Sequence, residues 1–237
     1  MELEQMEKQT GSTIESTELG SYKLWKSLLR ARLLDEASAG FTPEPEALDA
    51  AWEGFCKRYQ VDPITSLPVP SDFVGCPPEL LKSTVERDSR IDLWKKTLFE
   101  PQAEERFELR KPGLDRVVYS LLRTKDEGLS RELWFRIKEG EATFAELAPT
   151  YASGNEIYTS GIVGPVAFGS MHPGLAGILK SAPAGEVLRP FSVAEWYLVA
   201  RVDHHLPAEF DDAMKAQMVD ELVHIWLEER FHGRPTA

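Results

Sequence analysis

Residues 158–179 read YTSGIVGPVAFGSMHPGLAGIL, with no Asp, Glu, Lys or Arg in a chain where 28% of residues are charged. The stretch holds five Gly and two Pro. It is long enough to cross a bilayer, which takes about 20 apolar residues. Its Gly and Pro residues, with Thr159, Ser160, Ser170 and His172, argue against a span. Within it, Gly164–Phe168 reads as a short strand and a short helix follows Pro173.

Composition bounds the rest. The 237 residues have room for one large domain or two small ones. A formal net charge of −12 argues against wrapping nucleic acid or sitting on anionic lipid, both of which call for Lys/Arg patches. Cys56 and Cys76 read as two reduced thiols, and their spacing fits no zinc pattern. The first 20 residues lack the basic and apolar regions of a secretory signal and read as a disordered tail. The expectation is a soluble cytoplasmic protein.

Upstream of the uncharged stretch the pattern is helical. Tyr22, Trp25, Leu29 and Leu33 recur at helical spacing over 21–39. A second helix is expected from Thr42 as N-cap and Pro43 as first residue, with Ala47, Leu48, Ala51, Trp52, Phe55 and Tyr59 inward. Residues 62–78 are Pro-rich and read as a loop. A long helix follows, with Leu80, Leu81, Val85, Ile91, Trp94 and Leu98 inward, and a shorter helical piece runs to Lys111. Pro112-Gly113 reads as the boundary of this region.

From Arg116 the pattern changes. RVVYSLLR (116–123) is a strand, LSRELWFRIKEG (129–140) a helix, and Thr143 and Glu146 stand at capping-box spacing before another. Residues 186–193 and 195–203 read as two final strands. In the last, Trp196, Leu198, Ala200 and Val202 face one way and Tyr197, Val199 and Arg201 the other. Residues 207–231 form a closing helix with Phe210, Met214, Met218, Leu222, Ile225 and Trp226 on one side. The order is helices, then βααβαββ, then one helix, an α+β arrangement.

Four blocks of this second region, in order, resemble the parvulin peptidyl-prolyl isomerases. VVYSLLR matches the family's first strand. ELWFRIKEGEATFAELAPTYASG matches its helical leader. TSGIVGPVAFGSMHPGLAGIL matches the glycine-rich block ending G-x-M-x-P-x-F, and SAPAGEVLRPFSVAEWYLVARV its closing strands. The blocks cover about half of the chain. A helical N-terminal region with a C-terminal helix folding back on it is similar to parvulin-type chaperones and foldases, and the whole is most similar to a cyanobacterial parvulin-like group.

The resemblance implies a four-stranded mixed or antiparallel sheet with surrounding helices at 113–206. It also implies an all-α region at 21–112, joined by the helix at 207–237. The implied activity is isomerisation of Xaa-Pro bonds in client polypeptides, with no cofactor and no metal. The alternative is a non-catalytic chaperone or adaptor that binds Pro-containing or unfolded segments. A structural subunit of an assembly is a third possibility, and the oligomeric state stays open.

On this alignment Met171, Leu175 and Val166 match the positions that hold the proline ring. The paired His positions carry Ser120 and Tyr197. The Cys or acidic position carries Ile162, and a frequent Ser/Thr pair falls on Ser192 and Ala194. Ser120 and Tyr197 either form a hydroxyl pair in place of two imidazoles or simply fill the fold. Asp203-His204-His205 reads as a solvated strand end rather than a metal site.

Overall fold

The computed structural model describes residues 24–67 and 77–231. The tail over 1–20, Tyr22 and Cys76 lie outside the described residues. Backbone contacts divide the chain into two compact units, one of residues 1–103 with 216–237 and one of residues 104–215.

The first unit is helical: α1 (Trp25–Ser38), α2 (Pro45–Tyr59), α3 (Pro78–Phe99) and most of α8 (Asp212–Phe231). Helix α2 begins at Pro45, not Pro43. Glu44 precedes a proline, which pushes it to an extended conformation (ψ 146°), so the helix cannot start before it. Trp52, Cys56 and Val61 bury against Leu81 and Val85 of α3. Cys56 is a free thiol, and burial raises its pKa above the ordinary value.

Helix α1 docks largely by polar contacts. Arg87 Nε donates to Asp35 at 2.7 Å and Arg90 Nε to Ser38 at 3.3 Å. Trp25 and Leu29 of the expected apolar face stay exposed. On α8 the ring of Trp226 stands edge-on to Trp94 at 5.0 Å. Its buried ridge is Met218, Val219, Val223 and Leu227, rotated from the expected face. Phe210 precedes the helix. Among the described residues no helix is long and apolar enough to cross a membrane.

The second unit opens with α4 (Ala103–Leu114), which runs straight through Pro112-Gly113. A proline this near a helix end removes one backbone bond and leaves little helix to break. Then follow β1 (Arg116–Thr124), α5 (Glu127–Lys138), α6 (Phe144–Tyr151), β2 (Ile162–Ala167), α7 (Pro173–Ser181), β3 (Phe191–Val193) and β4 (Trp196–Leu206). This is the βααβαββ order read from the sequence. The penultimate strand is shorter than expected, because Val187 and Leu188 bond to β4 separately from the ladder that starts at Phe191.

The sheet order is β2-β1-β4-β3, and every ladder is antiparallel. Asp126 caps α5 by accepting from Leu129 N–H, and Thr143 and Glu146 form the expected capping box on α6. Helix α7 covers one face of the sheet, in a core of Val117, Leu121, Leu175, Leu179, Leu198 and Val202. Helices α5 and α6 cover the other, around Leu122, Leu133, Phe144, Leu147 and Val199.

Two bulges sit opposite Val118. On β2, Val163 pairs with Tyr119 and Val166 with Val117, leaving Gly164-Pro165 looped out between them. Gly164 is fixed there by φ 123° and by closeness, since a Cβ would lie 2.6 Å from Val117 O. On β4, Tyr119 pairs with Val202 and Val118 with His204, leaving Asp203 unpaired. Each bulge shifts the alternation of side chains beyond it.

Candidate functional site

Strand register decides which expected site residues can meet. Ser120 pairs with Arg201, whereas Tyr197 pairs with Thr124. Four residues of strand separate the two hydroxyls, about 13 Å at the usual rise. The structure therefore does not form the hydroxyl pair. Both residues lie on the α5/α6 side of the sheet, across it from α7.

Ser120 is buried and fully engaged. Its Oγ donates to Asp203 Oδ2 at 2.8 Å and accepts from Arg201 Nη2 at 3.3 Å, while Arg201 Nε donates to Asp203 Oδ1 at 2.7 Å. The guanidinium of Arg201 lies over the Phe144 ring, 5.5 Å from its centroid. This closed triad ties β1, β4 and α6 together. Of the expected solvated end at 203–205, Asp203 is instead held in this triad, while His204 and His205 are exposed. His205 is turned by the bulge to the α7 side, where a ring nitrogen lies 3.0 Å from Ala182 O.

Met171 and Leu175 both lie on the α7 side of the sheet. Leu175 is buried in the α7 core and Met171 packs against it half-buried. The β2 bulge brings Val166 into register with Val117 of that core. Ile162 pairs with Ser120 and is 52% exposed. Ser192 pairs with Tyr197 at the outer edge of the sheet. Of the seven expected residues, Met171, Leu175 and Val166 share the α7 side, and Ser120, Tyr197, Ser192 and Ile162 do not join them.

The polar groups on the α7 side are different ones. Tyr119 is buried in the α7 core, and Trp196 packs against it. Arg123, two steps further along each alternation of β1, donates from Nε to Glu156 Oε1 at 2.8 Å. The Glu156 side chain is 1% exposed and that of Arg123 34%. The guanidinium also lies 5.7 Å from the centroid of the Trp196 ring, and Lys125 Nζ lies 4.9 Å from it.

Gly154 makes room for this arrangement, since a Cβ there would sit 1.9 Å from Arg123 Nη2. Burial, with the nearby Glu156 charge, raises the pKa of Tyr119 above the ordinary tyrosine value, against the opposing pull of Arg123. Its hydroxyl stays protonated, and so remains a donor, through the neutral range. The signal for Tyr119 and Arg123 was present in the sequence. They share the alternation of Val117 and Leu121, one residue out of phase with Ser120.

With the sheet, its helices and this face described, the class is an α+β fold whose βααβαββ unit carries an apolar helix-lined face edged by an arginine–glutamate pair. No protein-family model matches the chain, and no curated protein does. Solved structures similar to it include the peptidylprolyl isomerase PrsA from Bacillus anthracis. That structure has 13% identity and a TM-score of 0.43, covering 90% of this chain and 99% of that one. PrsA from Bacillus cereus is similar at 14% identity and TM-score 0.45, covering 94% and 85%. One of two SurA-like chaperones of Campylobacter jejuni, described as PEB4 and Cj1289, is similar at 12% and 0.40, covering 78% and 89%.

Proposed function

We propose that the βααβαββ unit is a parvulin-type peptidyl-prolyl isomerase, or folding factor, that acts on Xaa-Pro segments of client polypeptides. One observation carries this reading. Met171 and Leu175, matched to the proline-holding positions, converge on the face that also presents Tyr119, Arg123 and Trp196.

Rotation about an Xaa-Pro bond needs no nucleophile and no metal. Its barrier comes from partial double-bond character, about 18–20 kcal/mol for an ordinary peptide. A catalyst has to bind the twisted amide better than either planar form. The apolar floor of Met171 and Leu175 grips the ring. Arg123 spends its Nε on Glu156 and keeps its remaining N–H groups for a carbonyl that has rotated out of conjugation.

A second reading is favoured by the fate of Ser120. Its hydroxyl is locked between Asp203 and Arg201, and Tyr197 lies across the sheet. With no polar pair at those positions, the face binds Pro-containing segments without accelerating their rotation. Under either reading the helical unit, with Trp25, Leu29, Leu80 and Leu98 exposed, offers apolar surface to unfolded client chain.

Exchange NMR on peptides with Lys, Glu or Leu before Pro separates the two. Faster cis–trans exchange at substoichiometric protein supports the isomerase. Peptide shifts without faster exchange support the binding module. Neither effect refutes both.

A further inference from the structure

Across the sheet from α7 lies a groove of about 810 Å³, between α5 and the outer strand β3. Trp134, Phe135, Ser192 and Tyr197 line it, with Arg131 and Arg189 at its rim and Phe191 turned into the α7 core. Trp134 and Phe135 stand edge to face, 4.7 Å apart, and Phe135 is 56% exposed. Phe135 is left in solvent beside Tyr197 and the edge of the buried Trp134, and together they give this side of the sheet an aromatic wall.

The charge is as informative. The chain carries −12 overall, yet this groove has two guanidinium groups against the single carboxylate of Glu127. Glu127 is already paired with Arg131 on the same helix face. Arg189 makes no ion pair or hydrogen bond with any described residue. Aromatic-walled grooves favour the preformed polyproline II conformation, and a free guanidinium favours a carboxylate.

We propose that this groove binds an extended, acidic, proline-containing segment of a partner polypeptide. Proline or tyrosine side chains lie against Trp134, Phe135 and Tyr197, and a carboxylate pairs with Arg189. The site faces away from Met171 and Leu175, so it stands whether or not the α7 face isomerises anything.

The test uses the full chain, 15N-labelled, and two synthetic peptides. One repeats Glu-Pro-Tyr; the other repeats Lys-Pro-Tyr. The acidic peptide is expected to shift the amides of Phe135, Ser192 and Tyr197 and to weaken as salt is raised. Arg189→Glu is expected to lower its affinity about tenfold and to reverse the preference towards the lysine peptide. Phe135→Ser, at an exposed position, should weaken both peptides and leave the thermal midpoint in place. Equal binding of both peptides overturns the proposal. So do shifts confined to Met171 and Leu175, or concentration-dependent shifts at Phe135 in the free protein, which would make the groove a self-association surface.

Discussion

One pair of strands, β1 and β4, supplies both faces of the sheet, and the two faces are built to different ends. On the α5/α6 side every polar group on the strands near Ser120 is closed into the Ser120–Asp203–Arg201 triad beneath helices. On the α7 side the buried Glu156 is answered by an arginine that remains a third exposed beside Trp196. A single residue step along β1 moves a side chain from the closed arrangement to the open one. The difference teaches that strand phase decides which polar groups in this unit are closed off and which stay open, and a reading shifted by one residue along β1 points to the other face.

The largest effect is expected at the ion pair on the open face. Arg123→Ala leaves Glu156 buried without a partner, a loss of about 3–5 kcal/mol in unfolding free energy for such pairs. Replacing both residues, Arg123→Met with Glu156→Leu, should recover most of it. If the single substitution is as mild as the double one, Glu156 is better hydrated than its burial indicates and the contrast between the faces weakens. Urea unfolding of the three variants decides this.

Leu121 and Leu122 sharpen the comparison because they are neighbours in sequence on opposite faces. Truncation of either to Ala is expected to cost about 2–4 kcal/mol. Only Leu121→Ala should lower Xaa-Pro exchange or peptide affinity, since only Leu121 packs under the α7 face. Equal losses of peptide activity from both would mean the faces are not functionally separate.

Tyr119 and Ser120 make the same point with hydroxyls. Ser120→Ala removes one donor from Asp203 but leaves Arg201 in place, a cost of about 1–2 kcal/mol. Exchange rates on Xaa-Pro peptides should be unchanged. Tyr119→Phe keeps the ring and should slow exchange severalfold. The opposite outcome would return the chemistry to Ser120.

How much of this was legible follows from the same distinction between local and distant constraints. The capping box at Thr143, the βααβαββ order and the alternation along β4 are local patterns, and each was read from neighbouring residues. The bulges opposite Val118 were not, because nothing in β4 announces that Asp203 loses its partner. That shift turned His205 towards Ala182 and gave Asp203 to Ser120. The start of α2 was misplaced by reading Pro43 as a first residue without applying the same proline rule to Glu44. The Arg123–Glu156 pair joins residues 33 apart in sequence, and Gly154 made its only local trace. On α8 apolar residues occur on all sides, so periodicity could not pick the buried ridge.

The smallest effects concern pH, and they bring the two faces apart most cleanly. On the α5/α6 side, Glu146 accepts from the backbone N–H and the hydroxyl of Thr143, and these bonds lower its pKa below the ordinary carboxylate value. A lowered carboxyl contributes stability that is present above its unfolded pKa, about 4.3, and is lost as pH falls through the folded one. On the α7 side, Tyr119 is raised, chiefly by burial. A raised phenol contributes stability that is present below its unfolded pKa, about 10, and is lost as pH rises through the folded one. Acid should therefore loosen the α6 side first and alkali the α7 side. Thr143→Ala is expected to cost about 1 kcal/mol at neutral pH and to flatten the acid limb of the stability profile. Tyr119→Phe should flatten only the alkaline limb. Hydrogen exchange at Leu147 and at Leu179, followed across both limbs, reads each side separately. If the two amides lose protection together at either end, the sheet unfolds as one unit before either face yields, and the separation of the faces is one of chemistry without one of stability.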